Sequence, residues 1–295
     1  MNKILLTGAT GFLGSKILIR LVDSGYNVIA LVRKESNLSR IQDVNSSFEL
    51  FYVDEKLNNL NELFEKHNID TIIHTATEYG RNLKASDVLM TNIIFPIRLI
   101  ENGLEHGLKS FINSDTFFGK SEFSDLSYLN EYTNSKKYFL NYLFSKRKEI
   151  KAVNLRLEHI FGEFDSENKF VTEVLHKLLK SENEILLTDG TQKRDFVYIE
   201  DVVNAYLKVL NNIDSIASVT EFEVGRGESV AVRQFVELMA ELTKSKSKLV
   251  FGAISSRKGE IQDSKANIGP LSKLGWKPNY NLRTAIAKMI ELELR

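Results

Sequence analysis

The sequence predicts an α/β protein built on a doubly wound parallel sheet, with a smaller C-terminal lobe. Three observations carry that prediction. Apolar runs of strand length alternate with amphipathic helical patterns through the first two thirds of the chain, and a glycine-rich turn lies between the first strand and the first helix. The 295 residues are 43% hydrophobic, enough to fill a substantial core. The strand-like runs are "KILLTG", "NVIALVR", "FELFYVD", "TIIHTA", "SFINS" and "AVNLRLEHIFG", and between them lie helical patterns such as "FLGSKILIRLVDSG" and "LNELFEKHN". Pro96 sits inside the apparent helix "TNIIFPIRLIENGLEHG" and is expected to bend it. "GEFDSENKF" (162–170) reads as a crossing out of the first domain and "RDFVYIEDVVNAYLKVL" as a strand and helix returning to it. The expected division is therefore 1–161 with 196–224 for the first domain, and 162–195 with 225–295 for the lobe.

Composition narrows the function classes. Lys+Arg and Asp+Glu each total 39, so no net charge favours nucleic acid or a membrane surface, and an anionic ligand would need a local basic pocket. The absence of cysteine rules out a disulfide framework, a thiolate nucleophile and a Cys-based metal site. No signal peptide and no 18-residue apolar stretch is present, which predicts a soluble, cytoplasmic protein. Five scattered histidines give no expectation of a metal site.

The first strand runs directly into "TGATGFLG", with Gly8, Gly11 and Gly14 at spacing three and three before an amphipathic helix. Glycine there permits a tight turn, the approach of backbone N–H groups to a pyrophosphate and close helix-to-strand packing. Thr10, Phe12 and Leu13 share that turn. The second strand ends "ALVRK", placing Val32 and Arg33 where an NAD-specific site would have an acid. An arginine at that point accommodates a 2′-phosphate, so NADP(H) is favoured and NAD(H) stays open.

"NEYTNSKKYFL" sets Tyr132 and Lys136 four residues apart, on one face of a helix. A phenol of ordinary pKa near ~10 can protonate a carbonyl, and a neighbouring ammonium strengthens it by stabilising the phenolate.

The glycine turn, "IIHTAT", Asn92, "NSDTFFG", Tyr132/Lys136, "LRLEHIFG", "DGTQKRDFVYIEDV", "VGRGESVAV" and "RKGE…SKLGWKP" occur in that order. In order and spacing they resemble the extended short-chain dehydrogenase/reductases that act on nucleotide sugars. That resemblance, which covers essentially the whole chain, implies a Rossmann-type domain and a Ser–Tyr–Lys catalytic set. It assigns Ser114 to the substrate oxygen, Tyr132 to proton exchange, and Lys136 to tuning Tyr132 and binding cofactor ribose. It further implies cofactor contacts from Thr75, Ala76, Thr77 and Asn92, and an adenine contact from Asp54. Arg194 and Arg257 match positions where arginine meets a nucleotide diphosphate, and the physical reason stands by itself: a buried diphosphate needs guanidinium forks. The helices around 91–104 and 133–146 resemble the family's dimerising pair, which implies a homodimer, although their apolar stripes equally well cover the sheet.

The reaction type turns on residues 114–116. The family's 4,6-dehydratases carry an Asp–Glu pair after the catalytic hydroxyl, and this chain has Asp115 followed by Thr116. Its 3,5-epimerase/reductases use a cysteine acid, which is absent. A C4 epimerase with tightly held NAD stays open, as does a non-catalytic NADP-binding regulator, a class that typically loses the tyrosine or lysine. "NSDTFFGK", "LRLEHIFGEFD" and "FGAISSRKGEI" resemble most closely the CDP-abequose and CDP-paratose synthase group. This implies NADPH-dependent reduction of the C4 ketone of a CDP-linked 3,6-dideoxy sugar for O-antigen precursors, with dTDP-linked 4-keto-6-deoxyhexoses as the neighbouring possibility. Asp115 and Thr116 are then substrate-side residues, Asp115 accepting from a sugar hydroxyl or a nearby backbone N–H. His159 is either a substrate contact or a structural imidazole, and Phe170 either stacks on the nucleobase or packs at a helix start.

Overall fold

A computed structural model describes residues 3–44, 48–80, 83–123, 129–257 and 259–295. In chain order the main elements are β1 (Lys3–Thr7), α1 (Phe12–Asp23), β2 (Asn27–Arg33), β3 (Phe48–Val53), α2 (Leu60–Lys66), β4 (Thr71–His74), α3 (Ala85–Leu89), α4 (Phe95–Glu105), β5 (Ser110–Thr116), α5 (Asn130–Ser145) and β6 (Lys151–Leu157). There follow β7 (His159–Phe161), α6 (Phe170–Leu179), β8 (Glu184–Leu187), β9 (Lys193–Arg194), β10 (Phe196–Tyr198), α7 (Ile199–Asn211), β11 (Val219–Val224), β12 (Val230–Ala231), α8 (Val232–Thr243), β13 (Lys248–Phe251), α9 (Gly269–Lys273) and α10 (Leu282–Glu293).

Seven strands form a parallel sheet in the order β11-β6-β5-β4-β1-β2-β3. β1 pairs with both β2 and β4, so the strand order reverses between β1 and β4. A doubly wound sheet opens a crevice beyond the carboxyl ends of its strands at that reversal. The chain divides into two compact units, residues 1–156 with 205–222 and residues 157–204 with 223–295. No described helix is long and apolar enough to cross a membrane.

In the first unit, Leu5, Ile29, Ile72, Phe111, Phe139 and Leu143 belong to one buried apolar cluster. The expected helix around Pro96 proves to be two pieces, because residues 90–94 form a π-helical turn ahead of α4. Proline has no N–H to give the carbonyl four residues back, and the turn before it widens.

"AVNLRLEHIFG" breaks into two strands, β6 in the large sheet and β7 paired in parallel with β10. In the second unit two buried carboxylates order the irregular C-terminal stretch. Asp195 accepts from Arg226 N, Gly227 N and Ala266 N at 2.7, 2.9 and 3.1 Å. Asp201 accepts from Asn279 N and Tyr280 N at 2.8 and 3.2 Å, while its backbone carbonyl takes the Trp276 indole N–H at 3.1 Å.

Candidate active site

Gly8 takes φ +69°, a left-handed conformation natural to glycine. A Cβ on Gly14 would stand 2.0 Å from the Gly8 carbonyl oxygen and 2.8 Å from Thr75 Oγ1, so close packing excludes a side chain there. Gly11 N closes the turn on Gly8 O at 2.9 Å. Gly11 caps α1 with no side-chain hydrogen bond, and no acidic residue lies in the first turn. The helix N-terminus therefore keeps its backbone donors and positive dipole end for an anion. This backbone-lined cradle, with Thr10, Phe12 and Leu13 half-buried around it, fits a dinucleotide pyrophosphate.

Thr75, Ala76 and Thr77 leave β4 beside that turn. Thr75 Oγ1 donates to Thr7 O at 2.8 Å, and Ala76 N donates to Thr7 Oγ1 at 3.3 Å. Arg33 is exposed at the end of β2, and its backbone N donates to Ser36 Oγ at 3.0 Å. The Asp54 carboxylate accepts from Lys56 N, Asn58 N and Asn59 N at 2.8, 3.1 and 3.0 Å, bonds that hold its acid below the usual carboxylate range. Its charge thus organises the turn into α2, and an adenine contact would have to share it. The Asn92 amide is fully used: Oδ1 accepts from Glu78 N at 2.8 Å and Thr77 Oγ1 at 3.4 Å, while Nδ2 donates to Glu78 O at 2.8 Å and Ser135 Oγ at 3.0 Å. Ser135 Oγ in turn donates to Tyr132 O at 2.7 Å. Asn92, seated in the π turn, therefore ties the segment after β4 to helix α5.

Tyr132 and Lys136 are both buried on α5. Lys136 Nζ donates to Ser114 O at 3.0 Å. Burial lowers the lysine to about 8, against the opposing pull of the Asp115 charge. Burial raises the Tyr132 phenol well above its ordinary value, helped by Tyr79 and Asp115, while hydrogen bonds with the Thr116 and Thr77 hydroxyls act the other way. The Tyr79 ring lies 4.9 Å from that of Tyr132. Ser114 Oγ, the hydroxyl that the resemblance implies for catalysis, donates to His74 O at 2.8 Å and lies 2.6 Å from Tyr206 Oη. Asp115 is likewise engaged, Oδ1 accepting from Thr116 N at 2.8 Å and Oδ2 from Asn154 Nδ2 at 2.9 Å, with Arg156 Nε 3.7 Å away. Arg156 also meets Glu221 at 2.8 Å.

Four expected substrate residues lie in the second unit. Arg194 is buried, giving three of its five donors to Lys193 O, Ile261 O and Glu260 Oε1 at 2.8, 2.6 and 3.1 Å. Burial and the charges of Arg194 and Lys169 push His159 down to about 3, so the imidazole is neutral. Phe170 opens α6 at 43% exposed, available to a flat ligand, and Arg257 is exposed.

The model of the NAD dependent epimerase/dehydratase family matches residues 4–225. The chain belongs to that family. CDP-abequose synthase of Salmonella muenchen is 35% identical over 99% of this chain and 98% of its own length. Among solved structures, UDP-glucose 4-epimerase of Thermotoga maritima, determined with UDP-glucose, is 25% identical with TM-score 0.83, covering 98% of this chain and 97% of its own. MoeE5, in complex with UDP-glucose and NAD, is also 25% identical with TM-score 0.83, and 98% of each chain is covered. As a member of the epimerase/dehydratase family the chain is an NAD(P)-dependent enzyme of nucleotide-sugar chemistry.

Asn154, Arg156 and Glu221, which surround Asp115, are the residues that sequence reasoning missed. A signal was present: "AVNLRLE" puts polar residues at alternate positions 154, 156 and 158 of an otherwise apolar strand, so one face must meet polar groups. Tyr206, on a helix with no such signature, carried none. Asp115→Asn leaves one acceptor for two donors and takes a carboxylate from Arg156. We expect unfolding stability to fall by about 1–3 kcal/mol in urea denaturation, the cost of a buried donor left unmet.

Proposed function

We propose that the chain reduces the C4 ketone of a nucleotide-linked deoxy sugar with NADPH, a CDP-4-keto-3,6-dideoxyhexose being favoured. The observation that carries this reading is the Tyr132–Lys136 pair, two buried side chains one turn apart on α5. A neutral phenol next to an ammonium suits donation of a proton to a ketone oxygen. Asp115 has both oxygens engaged and Thr116 follows it, which supports reduction over dehydration. Similarity to CDP-abequose synthase over nearly the full length supports a CDP-linked substrate.

In this reading the bound nicotinamide supplies hydride, and the protein's residues do the rest. The Gly8–Gly14 cradle takes the pyrophosphate, Arg33 the 2′-phosphate, and Lys136 the nicotinamide ribose. Arg194 and Arg257 meet the substrate diphosphate, with His159 and Phe170 toward the sugar and base. Exposed Leu89, Met90 and Ile94 before α4, together with Tyr138 on α5, support a homodimer, which sedimentation velocity checks.

A nucleotide-sugar 4-epimerase with tightly bound NAD is the second reading, favoured by the similarity to UDP-glucose 4-epimerase. Purified protein offered CDP-, dTDP-, UDP- and GDP-linked 4-keto sugars should oxidise NADPH with the CDP substrate, at a lower KM than for NADH, and Tyr132→Phe should abolish turnover. Interconversion of UDP-glucose and UDP-galactose without added cofactor would establish the epimerase instead.

The pH dependence follows from the two site groups. Reduction requires Tyr132 protonated and Lys136 charged; Tyr132 stays protonated far into the alkaline range, so the lysine is lost first. The rate, kcat/KM, should be flat near neutrality and fall as pH rises through about 8. In Asp115→Asn, which removes the one influence raising Lys136, that fall should begin at lower pH. A pH–rate profile unmoved by the substitution would contradict the assignment.

A further inference from the structure

Helix α7 turns an apolar stripe inward: Val202, Val203, Tyr206, Val209 and Leu210 are all buried. Tyr206 is the one hydroxyl among them. A phenol taken out of water costs free energy unless its O–H is bonded, and phenylalanine would fill the same space without that demand. The Tyr206 hydroxyl meets the demand at Ser114 Oγ, 2.6 Å away.

The direction of that bond follows from the protons available. Ser114 has one hydroxyl proton, and His74 O, a carbonyl that can only accept, lies 2.8 Å from Ser114 Oγ. Were the serine proton turned to Tyr206, two acceptor oxygens would face one another at that distance with nothing between them. Ser114 therefore donates to His74 O, and Tyr206 donates to Ser114 Oγ. Burial raises the Tyr206 phenol above its ordinary value, so this donor keeps its proton at neutral pH and well above it. The serine is held from a second helix as well, because its carbonyl accepts from Lys136 Nζ at 3.0 Å on the helix that carries Tyr132. Tyr206 is 0% exposed and so cannot touch a ligand, whereas Ser114, at 8%, keeps a small open surface.

We propose that Tyr206 is a positioning residue acting through Ser114: its O–H fixes Ser114 Oγ as an acceptor, and the serine proton turns from His74 O to the substrate's ketone oxygen. The proposal rests on the ketoreductase reading and on the role that the resemblance gives Ser114. As the ketone carbon takes hydride from the reduced nicotinamide, the C=O electron pair moves to oxygen, and that oxygen receives the Tyr132 proton. Ser114 donates a hydrogen bond to the same oxygen throughout and keeps its own proton. A hydroxyl that accepts one hydrogen bond becomes a stronger donor of another, so the Tyr206 bond strengthens Ser114 where negative charge develops.

The test is a double-mutant cycle on the full chain, with NADPH and the 4-keto nucleotide sugar. Tyr206→Phe alone should lower kcat about fivefold, the scale of one neutral hydrogen bond, with KM little changed. Ser114→Ala should lower kcat about 100-fold, the scale of one donor to a developing oxyanion. In the Ser114→Ala background, Tyr206→Phe should cost less than about twofold, because the hydroxyl it served is gone. Equal losses in both backgrounds overturn the proposal, as does a Tyr206→Phe protein whose only change is lower stability in urea. A second measurement uses the unsubstituted chain, with tyrosine carrying 13C at Cζ and the Tyr206 NMR signal assigned through Tyr206→Phe. That signal should move when NADP+ and the 4-keto nucleotide sugar bind together, a complex with no hydride to transfer, because the Ser114 proton has turned. A signal that stays in place in that complex overturns the proposal. Wild-type protein inert toward every 4-keto nucleotide sugar overturns the ketoreductase reading and the kinetic role of Tyr206 with it. An active wild type with additive losses overturns the Tyr206 role alone.

Discussion

An ammonium taken out of water costs several kcal/mol unless it is met by groups of good geometry. Lys136 is such an ammonium, and much of the first unit answers to it. The Ser114 carbonyl accepts from Nζ, which joins helix α5 to the end of β5 and thereby sets where Tyr132 stands. Asp115 supplies the compensating charge, and a buried carboxylate needs its own donors, found in Thr116 N and Asn154 Nδ2. Arg156 lies beside Asp115, and Glu221 beside Arg156. Charges alternate from α5 through Asp115 and Arg156 to Glu221 on β11, so each buried charge depends on its neighbour.

The parallel sheet turns this local constraint into a site. Residues 8–14, 75–77 and 114–116 are far apart in sequence, yet each follows or ends a strand near the reversal between β1 and β4. Parallel strands present their carboxyl ends on one side, which gathers these segments without further contrivance. Asn92 completes the arrangement from a widened helical turn, its amide bonded to both the segment after β4 and the serine beside Lys136. The π turn thus gives Asn92 its contacts on both sides.

Similarity to both a CDP-abequose synthase and a UDP-glucose 4-epimerase reflects what these features share. A glycine cradle and a tyrosine–lysine pair are compatible with more than one reaction of nucleotide sugars, and they do not state which sugar is presented. Those choices belong to side chains around the pair. Asp115 and Thr116 are among them, and their bonding decides whether a second acid–base group is available.

The doubly wound parallel sheet, the glycine turn and the Tyr132–Lys136 pair were legible in the sequence because each depends on local chemistry: strand-length apolar runs, conformations natural to glycine, and the helical spacing of four. The family's membership followed from the same motifs. What the sequence could not decide was direction. Ser114 and Thr116 are both hydroxyl residues on one strand, and only the tertiary structure shows that Ser114 Oγ meets His74 O and Tyr206 Oη while Thr116 Oγ1 accepts from Phe118 N. The same holds for Asp115, read as accepting either from a sugar hydroxyl or from a nearby backbone N–H, whose oxygens take Thr116 N and Asn154 Nδ2. A hydrogen bond depends on distances of tenths of an ångström between residues remote in the chain, and one-dimensional spacing does not contain them.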